Sequence, residues 1–156
     1  MVEYVNSIQI DLDVENWNDI CRQVPEHMLH EPGIEQHPHC TILYGLHPEV
    51  TANSTLKYLP QICEFNLRVG DVDYFRNEKY TVLYFDIHDT LLNLTNLKLC
   101  INFPYTTEFH GYHPHLTVAY LNHPEPNVTI KVKPIIKPLQ YRFCYGNGKP
   151  DEIFIL

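Results

Sequence analysis

The sequence predicts an α+β fold made of two similar lobes, and three observations carry the prediction. Short apolar-alternating segments are interspersed with helix-period ones, strand-helix-strand-helix recurs in the second half, and one eight-residue pattern occurs twice at nearly half-chain spacing. Residues 4–12 set Val5, Ile8, Ile10 and Leu12 among polar residues in near alternation, a strand. Residues 13–24 read as a short helix with an acid-rich start and Pro25 after its end. Residues 26–38 carry Pro, Gly and His without a period and read as a loop. Residues 39–46 are β-branched and apolar, a strand closed by Gly45 and Pro48. Residues 51–61 read as a helix with Thr51 as N-cap. Strands follow over 65–75 and 80–87, separated by a turn at 76–79. In residues 89–100, Leu91, Leu92, Leu94, Leu97 and Leu99 suit a helix seated on a core. A loop through Phe109, His110 and Gly111 leads to a strand over 115–121. After a Pro-rich stretch at 122–127, strands are expected over 128–132, 139–145 and 153–156.

A chain of 156 residues with 44% hydrophobic and 19% charged residues is expected to form one globular domain over 1–156. No apolar run approaches the roughly 18 residues of a membrane span, so no membrane partner is expected. Acids at Asp11, Asp13 and Glu15 fit neither a signal nor a transit peptide. The net charge of −8 opposes tracking along duplex nucleic acid, which requires neutralising many phosphates. The charge is uneven. Residues 1–36 hold eight acids against Arg22, a net of −7, whereas 131–156 hold five bases against two acids, a net of +3. That end could form a local positive surface for a small anion, or simply a solvated strand edge. The five cysteines (21, 40, 63, 100, 144) contain no C-x-x-C and read as free, mostly buried thiols in a reducing cytoplasm. Asn-x-Ser/Thr triplets at Asn53, Asn93 and Asn127 are chance matches on that reading.

The repeat is the informative feature. Residues 37–44 read His-Pro-His-Cys-Thr-Ile-Leu-Tyr and residues 113–120 read His-Pro-His-Leu-Thr-Val-Ala-Tyr, identical at five of eight positions with an offset of 76. Strand alternation puts His39 with Thr41, and His115 with Thr117, on one face; Cys40, Ile42 and Tyr44, and their counterparts through Tyr120, fall on the other, buried face. Lobes facing each other would bring two imidazoles and two hydroxyls into one cleft. Cleaving a phosphodiester needs a proton removed from the attacking oxygen and one delivered to the leaving oxygen. Histidine performs either task near neutral pH, while threonine hydroxyls donate to the non-bridging oxygens. The symmetry leaves open which histidine is the base. A rival reading assembles His37, His39, His113 and His115 as zinc ligands. Pro38 and Pro114 oppose it by placing His37 and His113 in the preceding turns, and it leaves the shared threonine unexplained.

The motifs His39-Cys40-Thr41 and His115-Leu116-Thr117 resemble those of the 2H phosphoesterase superfamily, which includes 2′,5′-RNA ligase-like proteins and cyclic phosphodiesterases. The resemblance implies a bilobal fold, two antiparallel β-sheet lobes with outer helices around a central cleft in pseudo-two-fold duplication. It also implies metal-independent, cofactor-free phosphodiester chemistry, with His39, Thr41, His115 and Thr117 as the catalytic residues. The segment 33–47 looks most like the phage-encoded branch, whose anti-CBASS members degrade the cyclic di- and trinucleotide messengers of bacterial immunity. The expected partner is therefore a small cyclic nucleotide bound by a monomer in the host cytoplasm. Base contacts are expected from aromatic stacking, with Tyr4, Tyr112, Tyr141 and Tyr145 as candidates and Glu152 as a polar contact. Processing of RNA ends and non-catalytic sequestration of a nucleotide stand as alternatives.

Overall fold

The computed structural model describes residues 4–123 and 128–156 and is an α+β protein with two antiparallel four-stranded sheets. Asn127, the acceptor of the third triplet, and most of the Pro-rich stretch lie outside the described residues. The elements run β1 (Asn6–Val14), α1 (Trp17–Cys21), β2 (Leu29–Ile34), β3 (His39–Leu46), α2 (Ala52–Thr55), β4 (Arg68–Arg76), β5 (Thr81–His88), α3 (Thr90–Asn102), β6 (His115–Leu121), β7 (Ile136–Cys144) and β8 (Glu152–Phe154). The first sheet has the order β3-β1-β7-β8 and the second β2-β6-β5-β4.

Alternation explains the long strands. In β1, Ile8, Ile10, Leu12 and Val14 point into the core, while Gln9 and Asp13 stay at least partly exposed. Asp89 caps α3, its carboxylate accepting from the Leu91 N–H at 2.9 Å. That helix buries Leu92, Thr95 and Leu99 and leaves Leu94, Leu97 and Ile101 exposed on its outer face.

Several expectations need correction. The loop over 26–38 contains β2, an irregular strand that pairs with β6 only at Leu29↔Leu121 and Ile34↔Ala119, with Pro32 and Gly33 between them. The helix over 51–61 is one α-turn followed by short 3-10 turns, because Pro60 cannot continue it. Its start does carry the Thr51 cap, in a capping box with Ser54. The first helix covers only Trp17–Cys21, since β1 runs on to Val14. Residues 128–132 form no strand. Of the five free cysteines only Cys40 is buried; Cys63 is exposed and the others are half-buried.

The helices cross between sheets. α1 follows β1 of the first sheet, yet Ile20 packs with Leu83, Phe85, Val118 and Ala119 of the second. α3 follows β5 of the second sheet, yet Leu92 and Leu99 pack with Ile10, Ile42 and Phe143 of the first. Each sheet is thus covered by the other's helix, and Ile87 and Leu116 of the second sheet join the core of the first. No helix among the described residues is long and apolar enough to cross a membrane.

Candidate active site

The two repeats occupy β3 and β6, which lie beside each other across the seam between the sheets. Tyr112 bridges that seam, its hydroxyl donating to the Thr41 carbonyl at 2.7 Å. Cys40 and Leu116, the central residues of the two motifs, are both fully buried in the same core beneath it. Burial pushes the Cys40 thiol up to about 12, so it stays protonated and serves packing.

The backbone frame is duplicated in detail. Asp11 lies directly opposite His39 on β1, and Asp86 directly opposite His115 on β5. The carbonyl of Pro38 accepts the Leu12 N–H at 3.0 Å, and that of Pro114 accepts the Ile87 N–H at 3.0 Å. Both motif strands also bulge at the residue after the threonine: the ladder skips Ile42 between Thr41 and Leu43, and Val118 between Thr117 and Ala119. The freed carbonyls are satisfied by different groups, Ile42 by the Asn96 side chain at 2.8 Å and Val118 by the Glu35 N–H at 2.9 Å.

The bulges correct the expectation for the repeated tyrosines. Alternation holds from His39 to Thr41 and from His115 to Thr117, then slips by one. Tyr44 opposite Ser7 therefore sits on the His39 face and is 57% exposed instead of buried. Tyr120, opposite Val82, is turned to the His115 face and meets Tyr80 edge-on at 5.2 Å.

The motif histidines are held identically. His39 Nδ1 lies 2.7 Å from the His37 carbonyl, and His115 Nδ1 lies 2.8 Å from the His113 carbonyl. A carbonyl only accepts, so Nδ1 carries the hydrogen in both rings and Nε2 holds the lone pair of the neutral form. Proton traffic is thereby confined to Nε2. Burial holds the His115 pKa below the ordinary histidine value; the carbonyl of His113 opposes that shift, while charge on His113 and His39 adds to it and Asp86 opposes it. Among the described residues, neither the Thr41 nor the Thr117 hydroxyl has a hydrogen-bond partner; Thr41 is half-buried and Thr117 buried, though its oxygen is not sealed off.

The surroundings of the two histidines diverge. On the first sheet, Gln9 and Asp11 lie beside Thr41 and His39, with Arg142 and Gln140 across from them on β7. Arg142 Nε donates to Asp11 at 2.9 Å and its Nη1 to Asp151 at 3.2 Å. On the second sheet, His115 is boxed by Tyr84, Phe75 and His113, with ring centroids at 5.3, 5.7 and 5.9 Å. Asp86 contacts the His113 ring at 2.5 Å.

The other sequence candidates are not brought to these faces. Tyr141 is buried in the core, its hydroxyl donating to the Pro60 carbonyl at 2.7 Å. Glu152 lies opposite Phe143 and so shares the core-side face of the first sheet, where it accepts from Tyr145. Tyr4 is half-buried ahead of β1, and Tyr112 holds the Thr41 backbone from the core side. The basic C-terminal stretch disperses: Arg142 is committed to two aspartates and Lys149 covers the Tyr145 ring. Among the described residues no group of three or more His, Cys, Asp or Glu is placed to hold a metal ion.

Sequence reasoning missed Asp11, Asp86, Tyr84 and Phe75. The aspartates left a signal, since Gln9-Ile10-Asp11-Leu12 and Tyr84-Phe85-Asp86-Ile87 share the pattern x-apolar-Asp-apolar at an offset of 75. The aromatics left none, because their place depends on strand register. No protein-family model matches the chain, and no curated protein sequence does.

Proposed function

We propose that this chain is a phosphodiesterase of the 2H type, with the bilobal fold of that superfamily, acting on cyclic di- and trinucleotides as a phage counter to bacterial immune signalling. The observation that carries the reading is the matched tethering of the two motif imidazoles. Each gives its Nδ1–H to a carbonyl two residues upstream and leaves Nε2 for proton transfer. Two such groups facing one phosphate supply a base and an acid, each worth about 10²–10⁴-fold in rate. Thr41 and Thr117, unengaged by protein, are donors for the non-bridging oxygens where charge accumulates.

A small substrate suits the charge. With a net of −8 the surface repels a long polyanion, whereas a cyclic dinucleotide brings only two phosphates to a local site. The exposed Phe75 ring beside His115, backed by buried Tyr84, offers an aromatic surface for a base.

The test is incubation with a panel of cyclic di- and trinucleotides in chelator, with products read by mass. Linearised product is expected from the wild type and a rate lower by 10²-fold or more from His115→Ala. Wild-type turnover by folded His115→Ala would overturn the reading. Faster opening of an RNA 2′,3′-cyclic phosphate would move the assignment to RNA ends, and intact ligand recovered from a denatured complex would indicate sequestration.

A further inference from the structure

The duplicated frame makes its few asymmetries meaningful, because positions equivalent in backbone can be compared side chain by side chain. Asp11 and Asp86 are such a pair, each opposite a motif histidine. Asp11 is consumed: Arg142 Nε, Gln9 Nε2 and Gln140 Nε2 all donate to its carboxylate at 2.9 Å. Its charge is balanced by a guanidinium. Asp86 instead contacts the His113 imidazole, and the carbonyl of that same His113 holds the His115 Nδ1–H. His37, the counterpart of His113, gives its backbone N–H to Glu35 at 3.2 Å and accepts from His39 at its carbonyl, but among the described residues its imidazole meets no carboxylate. A carboxylate-imidazole-carbonyl chain therefore ends on His115, and among the described residues no such chain ends on His39.

We propose that His115 is the base and His39 the acid of the reaction, and that Asp86 and His113 are a positioning pair for the base. The proposal rests on the phosphodiesterase reading and gives it a direction. The O–H bond of the attacking oxygen breaks, its proton passes to Nε2 of His115, and an O–P bond forms. The P–O bond to the leaving oxygen breaks, and that oxygen takes the Nε2 proton of His39, which enters the step as the imidazolium and leaves it as the neutral Nδ1–H ring. Solvent exchange then resets both rings.

A base must be neutral before the step and stabilised as a cation during it. The box of Tyr84, Phe75 and His113 keeps His115 from charging in the resting state. Once the proton arrives, the Asp86 carboxylate faces it across the ladder. The charged and titratable groups around this ring are His113 from its own turn, Asp86 and Tyr84 from β5, and His39 from β3. Asp73 stands one strand further away, opposite Tyr84.

Leaving-group rescue separates the roles. Cyclic dinucleotides carrying sulfur in place of the 5′ or the 3′ bridging oxygen are prepared, and the isomer whose P–S bond the wild type breaks is used. A thiolate leaves without protonation, so an enzyme lacking its acid recovers on this substrate and one lacking its base does not. His39→Ala is expected to return to within about tenfold of wild type, and His115→Ala to remain at least about 10²-fold down. Rescue of His115→Ala, of both variants, or of neither would overturn the assignment. Failure of the wild type on both oxygen and sulfur substrates would remove the phosphodiesterase reading and this proposal with it. If the alanine variants do not fold, His39→Gln and His115→Gln are used. For the positioning pair, the acid limb of kcat/KM is measured. Asp86→Asn is expected to move it to lower pH, since a carboxylate favouring charge on His115 is lost; Asp86→Glu restores it and Asp11→Asn leaves it in place. A limb unmoved by Asp86→Asn would assign Asp86 a purely structural part.

Discussion

Around His39 the sheet face is hydrophilic: Gln9, Asp11, Gln140 and Arg142 form one bonded group, and Asp151 closes it. Around His115 it is aromatic, with Tyr84 and Phe75 against the imidazole and a single carboxylate held by His113. Yet the backbones beneath are alike down to the bulge, the opposing aspartate and the carbonyl on Nδ1. The contrast separates two jobs. The frame aims Nε2 and the threonine hydroxyl, and any drift there would lose both. The neighbours differ between the halves, and at His115 burial among them disfavours the cation.

That comparison can be broken in order of effect. The largest change is expected where the halves are alike: Thr41→Val and Thr117→Val should each lower kcat by about 10²–10³-fold, the cost of one donor to a developing oxyanion. A loss from only one of them, measured on whichever cyclic nucleotide the panel shows to be cleaved, would mean that one half alone contacts the phosphate.

A smaller effect is expected beneath the motifs. Leu116 and Cys40 are equivalent and both fully buried. Leu116→Ala should cost about 2–5 kcal/mol in denaturant unfolding. Cys40→Ala, removing only a sulfur atom, should cost less. Equal costs would show that the two central positions are packed alike despite their different volumes.

The smallest effect concerns pH. His115 binds its proton more weakly folded than unfolded, because burial disfavours the cation. The unfolded chain therefore holds more protons in the window between that lowered value and about 6.5, and stability falls as pH drops through it. His115→Gln should flatten this part of the stability curve. His39→Gln sharpens the comparison by showing whether the other half carries any such slope.

How far the sequence speaks depends on which rule governs each residue. Period-2 alternation fixes His39 with Thr41 and His115 with Thr117, and it holds because neither strand is interrupted there. It fails one residue later, at Ile42 and Val118, since a bulge formed by ordinary β-branched residues leaves no mark comparable to a glycine. Unbroken alternation would bury Tyr44 and Tyr120, and the bulge alone turns them to the other face. β2 was illegible because Pro32 and Gly33 break any pattern and its pairing comes from β6, almost ninety residues away. The exchange of α1 and α3 between sheets was equally silent: the apolar residues of a helix announce a core, not which sheet supplies it. Tyr141 and Glu152 show the converse, residue types suited to binding that β7 and β8 carry on the face away from His39, Tyr141 in the core and Glu152 exposed at the sheet edge.

The central claim is that two imidazoles, fixed in one tautomer, share a cleft closely enough to feel each other's charge. Histidine titration by NMR tests it without a substrate. Neutral His39 and His115 should both show the Nδ1–H form, and His115 should titrate below about 6.5. In His39→Gln its midpoint should rise, because a like charge is removed. A His115 midpoint that stays where it was, or an Nε2–H tautomer in either ring, would contradict the account.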